Sequence, residues 1–240
     1  MKVLILGHTG MLGHMCVDLL TNNNFDVHII SSRWPDNEFY NNILNFDGDY
    51  IINCIGSIPQ KTNQFNVNTK LPLWLSDNVK CKVIHPGTDC EMDTDLYGIS
   101  KKMARDYIVK TSSNTKIIRA SIIGPELNSN ASLLDWFLSS NDTINGYTKA
   151  MWNGITTLEW AKQAIQLINN WDEYETETVI SSNCISKYVL LNNIKLVFNK
   201  SINILPVDKG EFKCLRGHIN VSDITVQLHE IKEYYYDNRC

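Results

Sequence analysis

Apolar and polar positions along the chain alternate between two rhythms. Residues 2–6 form an almost unbroken apolar run, the pattern of a strand covered on both faces, and the run ends at a glycine cluster. Between residues 11 and 20 the apolar side chains of Leu12, Met15, Cys16, Leu19 and Leu20 recur at helical spacing. Asn22, Asn23 and Asn24 break that pattern, and residues 25–30 read as a second strand. Further apolar runs at 50–55, at Val83 and Ile84, and at 116–123 stop respectively at Gly56, Pro86-Gly87 and Gly124-Pro125. Strands alternating with helical segments predict an α/β fold with a doubly wound parallel sheet. Beyond Pro125 the rhythm loosens. Helices are predicted over 133–138, from Thr156 to Ile168 and over 187–198, with a strand at 179–181 and the Tyr234, Tyr235, Tyr236 run near the end. Thr156 and Glu159 have the spacing of a capping box, which fixes that helix start. The expected division is residues 1–125 with 155–182 as one body, and 126–154 with 183–240 as a small discontinuous C-terminal lobe.

Composition narrows the function classes. The chain has 240 residues, 43% hydrophobic and 20% charged, with a formal net charge of −4 and a mean hydropathy of −0.20. That is an ordinary globular composition without the basic surplus that a polyphosphate backbone demands, so nucleic acid is not an expected partner. No apolar stretch approaches the roughly 18–20 residues that span a bilayer, and the opening run is too short for a signal peptide. No membrane partner is therefore expected, and a cytoplasmic location is. The seven cysteines (Cys16, Cys54, Cys81, Cys90, Cys184, Cys214, Cys240) are odd in number, scattered and without a CxxC pair, which predicts free thiols in a reducing compartment and no metal site.

The first constellation that carries chemistry is Gly7-His8-Thr9-Gly10-Met11-Leu12-Gly13, between the first strand and the first helix. Glycines there allow a tight turn and close backbone approach to a pyrophosphate, while the helix start offers free N–H groups. Gly7, Thr9, Gly10, Met11, Leu12 and Gly13 are thus candidate cofactor contacts in a Rossmann-type nucleotide-binding unit. An NAD site expects an acidic residue about 20 positions further on; the second strand ends instead in Ser31, Ser32 and Arg33. Two hydroxyls and a guanidinium suit a 2′-phosphate, so NADP(H) is the expected cofactor, with NAD(H) as the alternative. Arg33 also reads as a solvated surface arginine, and His8 as a turn residue.

Tyr97 and Lys101 form a second constellation, four residues apart and so one turn apart on one face of a helix. A phenol titrates near 10, and a neighbouring cation favours its ionised form, which brings it toward a useful range for proton exchange. Thr88, in Gly87-Thr88-Asp89 at a strand end, can hydrogen-bond a carbonyl oxygen, or can simply cap a loop.

Taken with Ile52-Asn53-Cys54-Ile55-Gly56 and Ile118-Arg119-Ala120-Ser121, these motifs resemble the extended short-chain dehydrogenase/reductases, and within them the dTDP-4-dehydrorhamnose reductase branch. Residues 133–137, 153–159 and 185–188 have counterparts in that branch, so the resemblance covers most of residues 1 to 200. It implies a Rossmann domain for NAD(P)H, with Cys54, Ile55 and Gly56 among the cofactor contacts, and a C-terminal lobe for a nucleotide-linked 6-deoxy-4-ketohexose. It also implies a catalytic triad of Thr88, Tyr97 and Lys101, with Tyr97 and Lys101 touching the cofactor as well. Hydride would pass to the C4 ketone, Tyr97 would supply the proton, Thr88 would polarise the oxygen, and Lys101 would lower the tyrosine pKa and anchor the ribose. The implied activity is NADPH-dependent reduction of a UDP- or dTDP-linked 6-deoxy-4-hexulose of the rhamnose or N-acetylrhamnosamine type, with C3 epimerisation as an added step and a homodimer as the expected assembly.

Some positions depart from the branch. Dehydratases of the superfamily follow the threonine with an Asp-Glu pair, whereas here Cys90 follows Asp89, and Glu91, one place late, is expected to point elsewhere. Gly87 stands where a serine is usual, and the segment 34–49 looks too compressed for the usual helix and strand. Asp89 and Trp152 are candidate substrate contacts, Trp152 as a sugar-stacking face or else as a core residue. Lys209, Lys213 and Arg216 are candidates for the diphosphate or else a solvated basic face. Two other readings stay open: a non-catalytic NADP-binding regulatory subunit and a nucleotide-sugar 4-epimerase.

Overall fold

The computed structural model describes residues 1–237, which pack as two compact units. One comprises Met1–Arg119 with Ala161–Thr178; the other comprises Ala120–Trp160 and the chain from Val179 onward.

The first unit is built on parallel strands β1 (Lys2–Leu6), β2 (Asp26–Ile29), β3 (Tyr50–Asn53), β4 (Lys82–Gly87) and β5 (Thr115–Arg119), in the order β5-β4-β3-β1-β2. Leu4, Leu6, Ile51 and Val83 pack with Phe39, Ile43, Leu71 and Leu75 in one cluster. The alternate residues Val3, Ile5, Ile52 and Ile84 are fully buried too. Both sheet faces are covered, which is why the strands read as continuous apolar runs. The connecting helices are α1 (Met11–Asn22), α2 (Asn37–Leu44), α3 (Asn66–Asn78) and α4 (Leu96–Thr111). The segment 34–49, expected to be too compressed, holds the two-turn helix α2, which buries Phe39 and Ile43. Helix α3 gave little sequence signal because Pro72 interrupts it, yet Leu71, Pro72 and Leu75 are all buried.

In the second unit, Ile122–Ile123 pairs with Ile155–Thr156, Met151–Trp152 with Ile185–Ser186, and Ile144–Tyr147 with Ile204–Val207. The expected strand 116–123 is therefore two: β5 ends at Arg119 and the pairing resumes at Ile122. Helices α5 (Leu133–Ser139), α7 (Lys187–Val197) and α8 (Ile224–Ile231) close a core that includes Leu134, Phe137, Leu190, Ile194 and Leu228. Helix α6 (Thr157–Asn169) starts at the predicted place, where Thr156 Oγ1 accepts from Glu159 N at 3.2 Å.

Cys184 and Cys214, 30 positions apart in sequence, form a disulfide with Cα atoms 5.9 Å apart. This corrects the expectation of free thiols throughout, and the inference from thiols to a reducing compartment falls with it. The pairing was invisible in the spacing because the fold, not the chain, brings the two segments together. Cys16, Cys54, Cys81 and Cys90 take part in no disulfide, and Cys240 lies outside the described residues. A loop of this size stabilises by about 3 kcal/mol in the chain-entropy account. Cys184→Ser is thus expected to lower the melting midpoint, and reductant to do the same to the native protein but not to the variant; calorimetry with and without reductant checks this. Among the described residues no helix is long and apolar enough to cross a membrane, and no group of His, Cys, Asp and Glu is arranged to hold a metal ion.

Candidate active site

Strand β1 has β2 on one side and β3 on the other, so the sheet order reverses at β1. The carboxyl ends of strands at such a switch point leave a crevice between the diverging loops. A cleft of about 700 Å³ opens there, lined by Gly7, His8 and Thr9 after β1, by Ser31, Ser32 and Arg33 after β2, and by Ile55 and Gly56 after β3. The turn is tight: Gly7 has φ +75°, and Gly10 N donates to Gly7 O at 2.9 Å. A Cβ on Gly13 would lie 2.0 Å from Gly7 O, so only glycine lets α1 start this close to β1. Gly10 caps α1 without a side-chain bond, and no acidic residue sits in the first turn. The helix start thus offers uncapped N–H groups and the positive end of its dipole to an anion. Gly10 and Met11 lead into α1, in which Leu12 and Gly13 are buried. Cys54 is half-buried, its N–H donates to Leu6 O at 2.9 Å, and its thiol neighbours that of Cys16.

Arg33 is exposed at the cleft, and Ser32 Oγ accepts from Asn42 Nδ2 at 3.0 Å. The opposite wall was not anticipated: Gln64, Val67 and Lys70 line it. Val67 and Lys70 lie on α3, which carries little signal in the sequence, and Gln64 lies on the loop before it.

Thr88 stands at the end of β4, and Tyr97 and Lys101 stand on α4. Thr88 leaves β4 in extended conformation (φ −141°, ψ 161°), and its Oγ1 accepts from Cys90 N, capping the turn Asp89–Met92. Tyr97 stands in the first turn of α4, whose N-cap Asp95 accepts from Gly98 N at 2.7 Å. The Thr88 side chain is near enough to the Tyr97 phenol to favour its ionised form. Lys101 Nζ donates to Pro86 O at 2.8 Å. Thr88 Oγ1 also donates to Asp89 Oδ1 at 3.1 Å, so Asp89 is engaged with the triad rather than free of it.

Electrostatics differ from the expectation. Burial pushes the Tyr97 phenol well above its ordinary value, the nearby Cys90, Asp89 and Glu91 add to this, and the neighbouring Thr88 side chain only partly opposes them. Lys101 is not among the groups that hold the phenol down; its ammonium donates to Pro86 O. The phenol is consequently a firmly protonated acid at neutral pH. Burial lowers Lys101 to about 8, with Glu91 and Cys90 holding it up. His85, next to Pro86 on β4, is kept neutral by burial and by Lys101, and its Nδ1 lies 3.3 Å from Asn53 Nδ2.

A buried amide joins the cleft to α4. Asn68 Oδ1 accepts from Ser57 N at 2.7 Å, while its Nδ2 donates to Ser57 O at 2.9 Å and to Ser100 Oγ at 3.2 Å. Ser57 lines the cleft, and Ser100 Oγ donates to Tyr97 O at 2.7 Å. Asn68 was not singled out in the sequence; a polar residue in a helix of weak periodicity carries no signal.

No family model matches the chain, and no curated protein matches it in sequence. Solved structures do match. The dTDP-4-dehydrorhamnose reductase of Bacillus anthracis, in complex with NADP, superimposes with a TM-score of 0.78 at 14% identity, over 98% of this chain and 99% of that one. The corresponding reductase of Clostridium acetobutylicum gives 0.75 at 15% identity over 98% and 99%. UDP-glucose 4-epimerase of Thermotoga maritima, with UDP-glucose, gives 0.73 at 16% identity over 100% of both chains. The chain shares its fold with these solved enzymes. At these identities the likeness carries the fold, and the site has to be argued from its own residues.

Within this fold the second unit holds the remaining predicted contacts. Trp152 is 4% exposed, belongs to the unit's core and donates from Nε1 to Ser121 Oγ at 2.7 Å. This corrects the sugar-stacking expectation: the indole fills space under Gly154, where a Cβ would meet its ring at 2.2 Å. Lys213 and Arg216 lie on a coil held beside Met151 and Asn153 by Lys213 N to Met151 O at 3.0 Å and by both Asn153 side-chain atoms to Leu215. Lys213 is half-buried and Arg216 exposed.

Proposed function

We propose that the protein is an NADPH-dependent ketoreductase of nucleotide-linked sugars, reducing the C4 ketone of a UDP- or dTDP-linked 6-deoxy-4-hexulose of the rhamnose or N-acetylrhamnosamine type. The observation that carries this reading is that the Thr88 side chain at the end of β4 neighbours the Tyr97 phenol at the start of α4, with Lys101 one turn further along α4 and Asn68 tying that helix to the cleft wall. The solved dTDP-4-dehydrorhamnose reductase that has this fold and is in complex with NADP supports it.

The residues present fit the dinucleotide. The glycine turn and the uncapped start of α1 would hold its pyrophosphate, Ser31, Ser32 and Arg33 a 2′-phosphate, and Lys101 the ribose. When bound, the cofactor supplies the hydride that reduces the ketone. Tyr97, protonated at neutral pH, gives its proton to the C4 oxygen as negative charge develops there. Thr88 donates a hydrogen bond to the same oxygen. Glu91 is bonded to Thr88 N and paired with Arg119, which leaves elimination without its paired carboxylates and favours reduction over dehydration. Ser31, Ser32 and Arg33 at the β2 end likewise favour reversible NADPH use over the tightly held NAD of a 4-epimerase. Lys213 and Arg216 are our choice for the substrate diphosphate, C3 epimerisation accompanies reduction, and the protein acts as a homodimer.

The test is a panel of UDP- and dTDP-4-keto-6-deoxysugars with NADPH, followed by absorbance and product mass, with solvent deuterium at C3 reporting epimerisation. Oxidation of NADPH with a mass gain of two hydrogens supports the reading; no turnover on any member refutes it. The alkaline limb gives a further expectation. Lys101 is charged below about 8 and neutral above it, so ribose anchoring by the ammonium is present at neutral pH and lost as pH rises through that value. kcat/KM for NADPH is expected to fall above about pH 8; a profile flat to pH 10, near the ordinary lysine value, would contradict the role given to Lys101.

A further inference from the structure

Glu91 takes no part in the chemistry above, yet its side chain is 2% exposed and ion-paired with Arg119. We infer that Glu91 and Arg119 are positioning residues that set Thr88 for the reaction, an inference that rests on the ketoreductase reading. Thr88 is gripped on both sides of its own backbone: its N–H donates to Glu91 Oε1 at 2.9 Å, and its carbonyl accepts from Arg119 Nε at 2.9 Å. The two grips are joined to each other, Arg119 Nε lying 3.2 Å from Glu91 Oε2. With both peptide units of Thr88 fixed, the side chain has no backbone freedom left between the two positions that it must serve, Tyr97 and the substrate oxygen.

The pair is in turn braced from the same unit. Arg105 forks onto Glu177, with Nε at 2.6 Å and Nη2 at 2.5 Å, and reaches Glu91 Oε2 at 3.7 Å. Arg119 Nη1 lies 3.6 Å from Glu177 Oε1. Glu91, Arg119, Arg105 and Glu177 thus meet around the end of β4, and Arg105 Nη1 also reaches Asp106 Oδ1 at 2.9 Å on the exposed side. Gly87 belongs to the same arrangement: a Cβ there would stand 3.0 Å from both Glu91 Oε1 and Arg119 Cβ. A serine in place of Gly87 would crowd the two groups that hold Thr88, which gives the departure at that position a physical reason.

The test is a double-mutant cycle between Glu91→Ala and Thr88→Ala, read in kcat and in NADPH affinity by fluorescence titration. A misplacement of about 1 Å at a reacting group costs about 10²-fold, so Glu91→Ala is expected to lower kcat by that order with NADPH affinity within twofold. It should have little further effect once Thr88 is alanine, because the two act through one hydroxyl. Glu91→Gln, which keeps an oxygen for the Thr88 N–H, should recover most of the rate. Where Glu91→Ala does not fold, Arg119→Lys takes its place in the cycle, retaining the charge opposite Glu91 while removing the Nε donor. Equal losses with and without the Thr88 hydroxyl, or loss of NADPH affinity in the single variant, overturn the inference and leave the ketoreductase reading standing. Absence of turnover in the unaltered protein overturns both.

Discussion

Tyr97→Phe is expected to lower kcat about 10³-fold while leaving the Kd for NADPH within twofold of the parent. The substitution removes one oxygen. The ring and its edge contact with Phe65, whose centroid is 5.7 Å away, remain, and the Thr88 backbone, gripped independently by Glu91 and Arg119, has no cause to move. What disappears is the proton donor, and general acid catalysis by a placed side chain is worth about 10²–10⁴-fold. Because burial already keeps this phenol protonated, the loss should be of similar size across neutral pH rather than confined to one side of it. Steady-state kinetics on the sugar that gives the highest rate, together with fluorescence titration of NADPH, decide the matter. Turnover within threefold of the parent would remove Tyr97 from the chemistry and the ketoreductase reading with it.

Arg33→Ala is expected to raise KM for NADPH by about 10–100-fold and KM for NADH by less than threefold. The two cofactors differ only at the ribose 2′ position, and a hydrogen bond to a charged group is worth about 1.5–3 kcal/mol, which corresponds to that range. Arg33 is exposed at the cleft on the same strand end as Ser31 and Ser32, so its removal leaves no cavity and should not change the melting midpoint. Equal effects on both cofactors would show that the guanidinium does not read the 2′-phosphate; Lys70 on the facing wall would then be the cation to alter.

Much of the first unit was legible because its signals are local. A strand covered on both faces must be continuously apolar, a helix must repeat near 3.6, and a turn that brings α1 within contact of β1 must be glycine. Residues 2–6 and 11–20 therefore announced β1 and α1 with little error. Tyr97 and Lys101 declared their common helical face through spacing alone. Where local signals conflict, the reading weakened. Helix α3 carries Pro72 and few apolar repeats, and the run at 116–123 hid a break at Ala120 and Ser121.

What the chain determined by itself is the alternation of β and α elements, the glycine turn and the placement of a phenol and an amine on one helix, all of which follow from neighbours within a few residues. Only the tertiary structure decided that Trp152 is core, that Cys184 meets Cys214, that Asn68 joins the cleft wall to α4, and that Glu91 and Arg119 share the two ends of Thr88. Each of these depends on groups brought together from separate stretches of chain, some 30 residues apart for the disulfide and 31 for Thr88 and Arg119. A hydrogen bond or ion pair between distant residues leaves no period in the sequence; its partners become identifiable only when packing has fixed which strand ends lie side by side.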